Sequence, residues 1–66
     1  MADFTFIDTG FSATEVSVRP VTDAGRAFMA RHFGEAAMSA VLRKTGAYEM
    51  AAALGNDGLL VEWKEA

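Results

Sequence analysis

The chain has 66 residues, with nine Asp and Glu, six Lys and Arg, one His and no Cys, so its formal net charge is −3. Apolar residues make up 52% of the chain, but thirteen of them are Ala, which adds little to a core. A chain of this length buries only about 60% of its unfolded surface, so we expect one small domain, residues 1–66, with a net stability of roughly 3–5 kcal/mol. This composition excludes a multidomain enzyme, a disulfide-stapled secreted protein and a disordered polymer.

The first ten residues lack the basic stretch and the following apolar run that are typical of a signal peptide. No uninterrupted apolar run approaches the roughly 20 residues that span a bilayer. We therefore expect the protein in the cytoplasm of a host cell, without a membrane partner.

Charge alternates in sign along the chain. Residues 1–18 carry −3, residues 19–44 carry +3 and residues 45–66 carry −3. One interpretation is that these are ordinary solvated faces. The other is that the acidic ends repel nucleic acid and attract a basic protein.

The N-terminal residues predict a β-hairpin. Residues 4–7 and 14–19 alternate between apolar and polar side chains, and residues 9–13 form a turn that contains a glycine. A register that places Phe6 opposite Val16 puts apolar side chains on one face.

A helix is predicted next, because Pro20 ends the second strand and Thr22 is a typical N-cap residue. Asp23 suits the first turn of the helix, and Gly34 is a natural stop. His32 falls on the apolar face of this helix, so we expect it half-buried at the edge of the core.

Residues 35–44 are ambiguous. Their Ala, Met, Leu and Glu content favours a helix, but residues 39–43 also fit a short fourth strand. The helix is the favoured interpretation.

The C-terminal third predicts a helix over residues 45–54 that Gly55 caps, a turn, and a strand over residues 59–64. In that strand Trp63 is expected to face inward. The fold class is therefore α+β: a small antiparallel sheet of three strands, or four if residues 39–43 form one, with two to three helices packed on one face.

Catalytic chemistry is not indicated. None of Ser12, Ser17 and Ser39 lies in a nucleophile elbow or beside a base, and His32 is the only imidazole. The glycines of residues 55–58 precede a strand, which is the wrong order for a phosphate loop. We predict no enzyme, no cofactor and no metal site.

Nucleic-acid binding is also disfavoured. Arg26, Arg31, Arg43 and Lys44 could neutralise only a few phosphates, and the rest of the chain is acidic. The alternative that stays open is a small DNA-binding regulator or antitoxin that uses these four bases as a dimer.

Residues 18–28 (VRPVTDAGRAF), followed by residues 56–61 (NDGLLV), resemble a pattern in small phage and prophage accessory proteins. In those proteins a strand that ends in Arg-Pro leads into an amphipathic helix, and the chain closes with a helix, Asp-Gly-Leu and a last strand. They include the anti-CRISPR proteins, which are often acidic, lack enzymatic motifs and bind a subunit of a DNA-surveillance complex. The resemblance implies such a function but no site residues.

The leading hypothesis is a non-enzymatic phage or mobile-element inhibitor. It would bind, as a monomer, a basic surface on a subunit of a type I CRISPR effector complex, without contacting nucleic acid directly. The other open interpretation, beside the regulator, is a module that dimerises through a sheet edge. The carboxylates predicted to meet the partner are Asp8, Glu15, Glu49, Asp57, Glu62 and Glu65.

Overall fold

The computed structural model describes residues 1–8 and 14–65. Its elements are β1 (Phe4–Asp8), β2 (Glu15–Pro20), α1 (Asp23–Phe33), β3 (Ala40–Arg43), α2 (Lys44–Asn56) and β4 (Val61–Glu65). The predicted α+β class is confirmed, with four strands and two helices. The turn predicted over residues 9–13 lies outside the described residues.

The four strands form one sheet in the order β3-β2-β1-β4. The β1–β2 and β2–β3 pairs are antiparallel as predicted, but β4 runs parallel to β1. The prediction of a wholly antiparallel sheet is wrong at this pair because α2 carries the chain back along the sheet. A strand that follows such a helical crossover runs in the same direction as the strand before it.

The hairpin register differs from the predicted one by two residues. Phe6 lies opposite Val18 rather than Val16, and Val16 lies opposite Asp8. A shift of two residues leaves every side chain on its face, so apolar alternation cannot distinguish the two registers.

The predicted helix over residues 35–44 is wrong, and the alternative short strand is correct. Val41 lies opposite Ser17 in the β2–β3 pair, and the Lys44 N–H donates to the Thr14 carbonyl at 2.6 Å. Pairing with the open edge of β2 satisfies backbone groups and places Leu42 against the core. These tertiary contacts outweigh a local helix preference.

The core fills the space between one face of the sheet and the two helices. Phe4 lies at its centre, with its ring edge-to-face against Phe6 and Phe28 at centroid distances of 6.1 and 6.0 Å. The buried residues are Phe4, Phe6, Val16, Val18, Phe28, Met29, Ala47, Met50 and Leu54. On the opposite face of the sheet, Ile7 is half-buried and Val41 is exposed, and no described helix covers them.

Helix α1 begins and ends as predicted. The Thr22 hydroxyl accepts the Gly25 N–H at 3.1 Å, and Gly34 ends the helix with φ 104°. The expectation for His32 is wrong, because this side chain is exposed and stacks on the ring of Phe28 at 4.2 Å. His32 lies in the last turn of α1, after the buried residues of the helix, Gly25, Phe28 and Met29.

Helix α2 ends later than predicted. It continues through Gly55 to Asn56, and Asp57 is the C-cap residue. After α2, the glycine that adopts a positive φ is Gly58, at 76°, rather than Gly55. This conformation turns the chain towards β4.

Asp3 joins three elements at the beginning of β1. Its carboxylate accepts the Thr22 hydroxyl at 2.5 Å and the Leu60 N–H at 2.9 Å. Its backbone carbonyl accepts the Val21 N–H at 2.8 Å. The hydrogen bond from Thr22, followed by that from Leu60, lowers the pKa of Asp3 below its ordinary value of 3.8.

Replacing Asp3 by Asn should reduce stability at neutral pH, because an amide cannot accept both hydrogen bonds as a carboxylate does. A lowered folded-state pKa stabilises the fold above pH 3.8, and that contribution is lost as the pH falls through the folded-state pKa. The difference in urea midpoint between wild type and D3N should therefore shrink below pH 3.8. D23N, at a fully exposed carboxylate, is the control and should shift the midpoint less. If the urea midpoints of D3N and wild type differ by the same amount at every pH through the acid range, the ionised carboxylate of Asp3 does not stabilise the fold.

Candidate protein-binding site at the edge of the sheet

The six predicted carboxylates do not form one patch. Asp8 and Glu65 lie opposite each other where β1 and β4 end, and Glu15 begins β2 at that same end. Glu49 is exposed within α2, and Asp57 is the C-cap residue of that helix. The sixth, Glu62, lies on the face of the sheet that no described helix covers.

Several of these carboxylates lie beside a cation. Asp8 pairs with Lys44 at 3.2 Å, and Glu62 pairs with Lys64 at 3.4 Å. Asp57 lies 3.6 Å from Arg31. These pairs are exposed or half-buried, so they add little stability, but they offset the negative charge locally. The structure therefore does not present a continuous acidic surface over the described residues.

Two aromatic side chains meet beside β4. Trp63 faces the helices as predicted, and its ring packs edge-to-face on Phe6 at 4.9 Å. It is nevertheless 43% exposed, because β4 is an edge strand and nothing in the described part of the chain covers its outer side. Tyr48 of α2 is 60% exposed, and its ring lies 5.4 Å from that of Trp63.

The two rings line an open cleft of about 480 Å³. Two lysine ammonium groups and two carboxylates form its charged rim. We call this surface the edge site; its residues are Asp8, Lys44, Tyr48, Trp63, Lys64 and Glu65. An aromatic centre with a charged rim is the arrangement found in protein interfaces.

The backbone of β4 adds a second feature to the edge site. Leu60 directs both its polar groups inward: its N–H donates to Asp3, and its carbonyl accepts the N–H groups of Asp3 and Phe4. Backbone groups of successive strand residues point to alternate sides. Val61, Trp63 and Glu65 therefore direct their N–H and C=O groups towards the open edge, where another strand can pair with them.

Tyr48 was not among the residues that the sequence singled out. It lies outside the apolar stripe of α2, where an exposed aromatic residue has no packing role in the helix itself. Trp63 was assigned to the core because apolar alternation gives the direction of a side chain but not the position of its strand within the sheet. A helix tyrosine off the apolar stripe was the available signal.

Two of the other cavities of the described residues lie away from β4. A groove of about 360 Å³ between the helices is lined mainly by apolar side chains, Phe33 and Met50 among them, with Glu49 on its wall. A cavity of about 690 Å³ lies beside Arg19, Arg26 and residues 35–39. The groove has one exposed phenyl ring, Phe33, rather than a pair of rings, and the cavity beside Arg19 has no aromatic lining residue.

Residues 1–8 and 14–65 carry neither a cluster of metal ligands nor a membrane-spanning helix. No group of three or more His, Asp or Glu side chains in these ranges is placed to hold a metal ion. Neither α1 nor α2 is long and apolar enough to cross a membrane.

Comparison of the chain with protein-family models, with curated proteins and with solved structures finds no match. The edge site is therefore interpreted from its own chemistry.

Proposed function

We propose that this chain is a non-enzymatic protein-binding domain that docks its partner at the edge site. The observation that carries the proposal is the pair of exposed rings, Tyr48 and Trp63, beside the outward backbone groups of β4. Large aromatic side chains dominate the binding energy of protein interfaces, and edge strands bind extended segments through backbone hydrogen bonds. The edge site supplies both contributions on one surface.

A finer proposal is that the partner is a subunit of a type I CRISPR effector complex and that binding inhibits the complex. The net charge of −3 and the resemblance to phage accessory proteins support it. At the rim of the edge site, Glu65 would meet a basic surface of such a partner, whereas the charge of Asp8 is offset by Lys44. Rim charges of this kind mainly set the association rate and its salt dependence.

The positions of the four basic side chains speak against the DNA-binding alternative. Arg26 pairs with Asp23, and its guanidinium also donates to the Val21 carbonyl at 3.0 Å. Arg43 lies opposite Glu15 in the β2–β3 pair. Arg31 and Lys44 also lie beside carboxylates. Each base therefore has a nearby negative charge that competes with a phosphate.

Replacing Tyr48 by Ala should weaken binding to a purified type I surveillance complex by about tenfold or more, which corresponds to a hot-spot contribution above 1.4 kcal/mol. The substitution leaves the helix intact because Ala is the strongest helix former. Biolayer interferometry with the immobilised chain measures the affinity. V41T is the matched control: Val41 is 64% exposed at the other edge of the sheet, so exchanging one of its methyl groups for a hydroxyl should leave affinity unchanged.

Equal losses for Y48A and V41T would contradict docking at the edge site. Absence of binding by the wild-type chain would contradict the CRISPR partner. The regulator would instead be supported if the wild-type chain binds duplex DNA with a steep salt dependence and if reversing the charges at Arg26 and Arg31 abolishes that binding.

A further inference from the structure

We infer that the strand that pairs with the edge site is β4 of a second copy of this chain, which forms a two-fold symmetric dimer. This inference rests on the proposed docking role of the edge site and concerns the free protein: a second copy occupies the edge of β4, and another partner binds there only when the dimer dissociates. A dimer differs from the monomer expected from the sequence. The residues of β4, Val61-Glu62-Trp63-Lys64-Glu65, bring opposite charges together when the strand lies antiparallel to its own copy.

In an antiparallel pair related by a two-fold axis, residues equally far from the axis lie opposite each other. An axis at Trp63 places Trp63 opposite its own copy. It also places Glu62 of each protomer opposite Lys64 of the other, and Val61 opposite Glu65. No pair of like charges is formed across this axis.

The charged pairs lie on the face of the sheet that no described helix covers. Glu62 and Lys64 of one chain are already 3.4 Å apart, with 54% and 60% of their side chains exposed. Adding the second β4 would place four charges of alternating sign together, two from each copy. Opposite charges directly across a strand pair stabilise it, and like charges destabilise it.

The backbone groups also match this register. Val61, Trp63 and Glu65 direct their N–H and C=O groups to the open edge, as follows from the inward hydrogen bonds of Leu60. With the axis at Trp63, outward residues of one copy face outward residues of the other, so each such pair can exchange two hydrogen bonds. Glu62 and Lys64 then form the non-hydrogen-bonded pairs, in which side chains approach most closely.

The aromatic rings lie on the other face of the joined sheet. Trp63 of the two copies would be neighbours there, with Tyr48 of each copy beside them. Joining the edges removes exposed aromatic surface from water, which is the main favourable term in association. The opposite edge of the sheet, β3, is a weaker candidate for self-pairing because it has four residues and Arg43 is its single charge.

Sedimentation velocity over about 5–500 µM should show a shift from the 7.1 kDa monomer towards twice that mass, because a contact of two short strands is small and its dimer dissociates on dilution. E62K places lysines opposite each other, and K64E places glutamates opposite each other. Each substitution should weaken dimerisation by about tenfold or more.

An equimolar mixture of E62K and K64E restores both opposite-charge pairs, so it should form a mixed dimer that neither variant forms alone. The double variant E62K/K64E should dimerise like wild type. These rescues exclude misfolding as the cause of the single-variant losses. Amide exchange gives a second readout: Val61, Trp63 and Glu65 should gain protection with concentration, while Glu62 and Lys64 keep theirs.

A wild-type chain that stays monomeric at the highest concentration, or a dimer that neither single variant weakens, would overturn the inference. The proposed function is tested separately by Y48A. If the chain is monomeric but Y48A still loses affinity for the surveillance complex, the edge site binds a different polypeptide and only the self-pairing is wrong.

Discussion

Replacing Gly25 by Ala should destabilise the protein by on the order of 3 kcal/mol, comparable to the whole net stability expected of so small a core. A Cβ at this position would overlap the backbone carbonyl oxygen of Asp3 and approach the ring of Phe4 at 3.4 Å. The clashing atom belongs to a backbone that is held by hydrogen bonds to Val21 and Leu60, so it cannot move without breaking them. Urea unfolding followed by far-UV circular dichroism measures the loss.

Gly55→Ala is the matched control for Gly25→Ala. Gly55 also lies in a helix, but a Cβ there meets no atom within 4 Å. Because Ala has the higher helix propensity, G55A should stabilise the protein by up to about 1 kcal/mol. If G25A and G55A both raise stability, the close packing of α1 on the start of β1 is wrong.

Replacing Phe6 by Ala should cost about 3–5 kcal/mol and leave the chain largely unfolded. Phe6 is fully buried between Phe4 and Trp63, at ring distances of 6.1 and 4.9 Å. Phe33→Ala is the control, since Phe33 is 41% exposed and should lose much less. Equal losses for the two variants in urea unfolding would contradict the placement of Phe6 in the core.

The milder substitution Phe6→Leu tests whether the core positions the edge site. Trp63 is the single tryptophan, so its fluorescence reports the packing of this ring alone. Loosening the contact with Phe6 should shift the emission to longer wavelength while the far-UV circular dichroism is retained. An unchanged emission spectrum would show that Trp63 is positioned without Phe6.

Local chemistry was sufficient to predict the elements whose partners are near in the sequence. Helix α1 begins and ends where the residue types indicate. The side-chain oxygen of Thr22 caps its N-terminus, and Gly34 ends it with a positive φ. The alternation of residues 4–7 and 14–19 identified two strands and the face that each buries. These features depend on interactions within a few residues, which the order of amino acids specifies directly.

Elements whose partners are distant could not be predicted in the same way. Residues 40–43 form a strand because β2 has an open edge beside them, although their surroundings favour a helix. Hairpin register was undetermined because a shift of two residues preserves both faces. The parallel direction of β4 follows from the path of α2 across the sheet, which no local pattern records.

By itself, the sequence determined the α+β class, the apolar faces and the total charge of this protein. Only the tertiary structure decided that the six predicted carboxylates are dispersed, with Asp8, Asp57 and Glu62 beside cations, and that Tyr48 and Trp63 meet at an open edge. The physical reason is that charge and alternation are properties of residues along the chain, whereas exposure and adjacency depend on strand order. Strand order placed β4 at the edge, and that position made Trp63 a candidate binding residue.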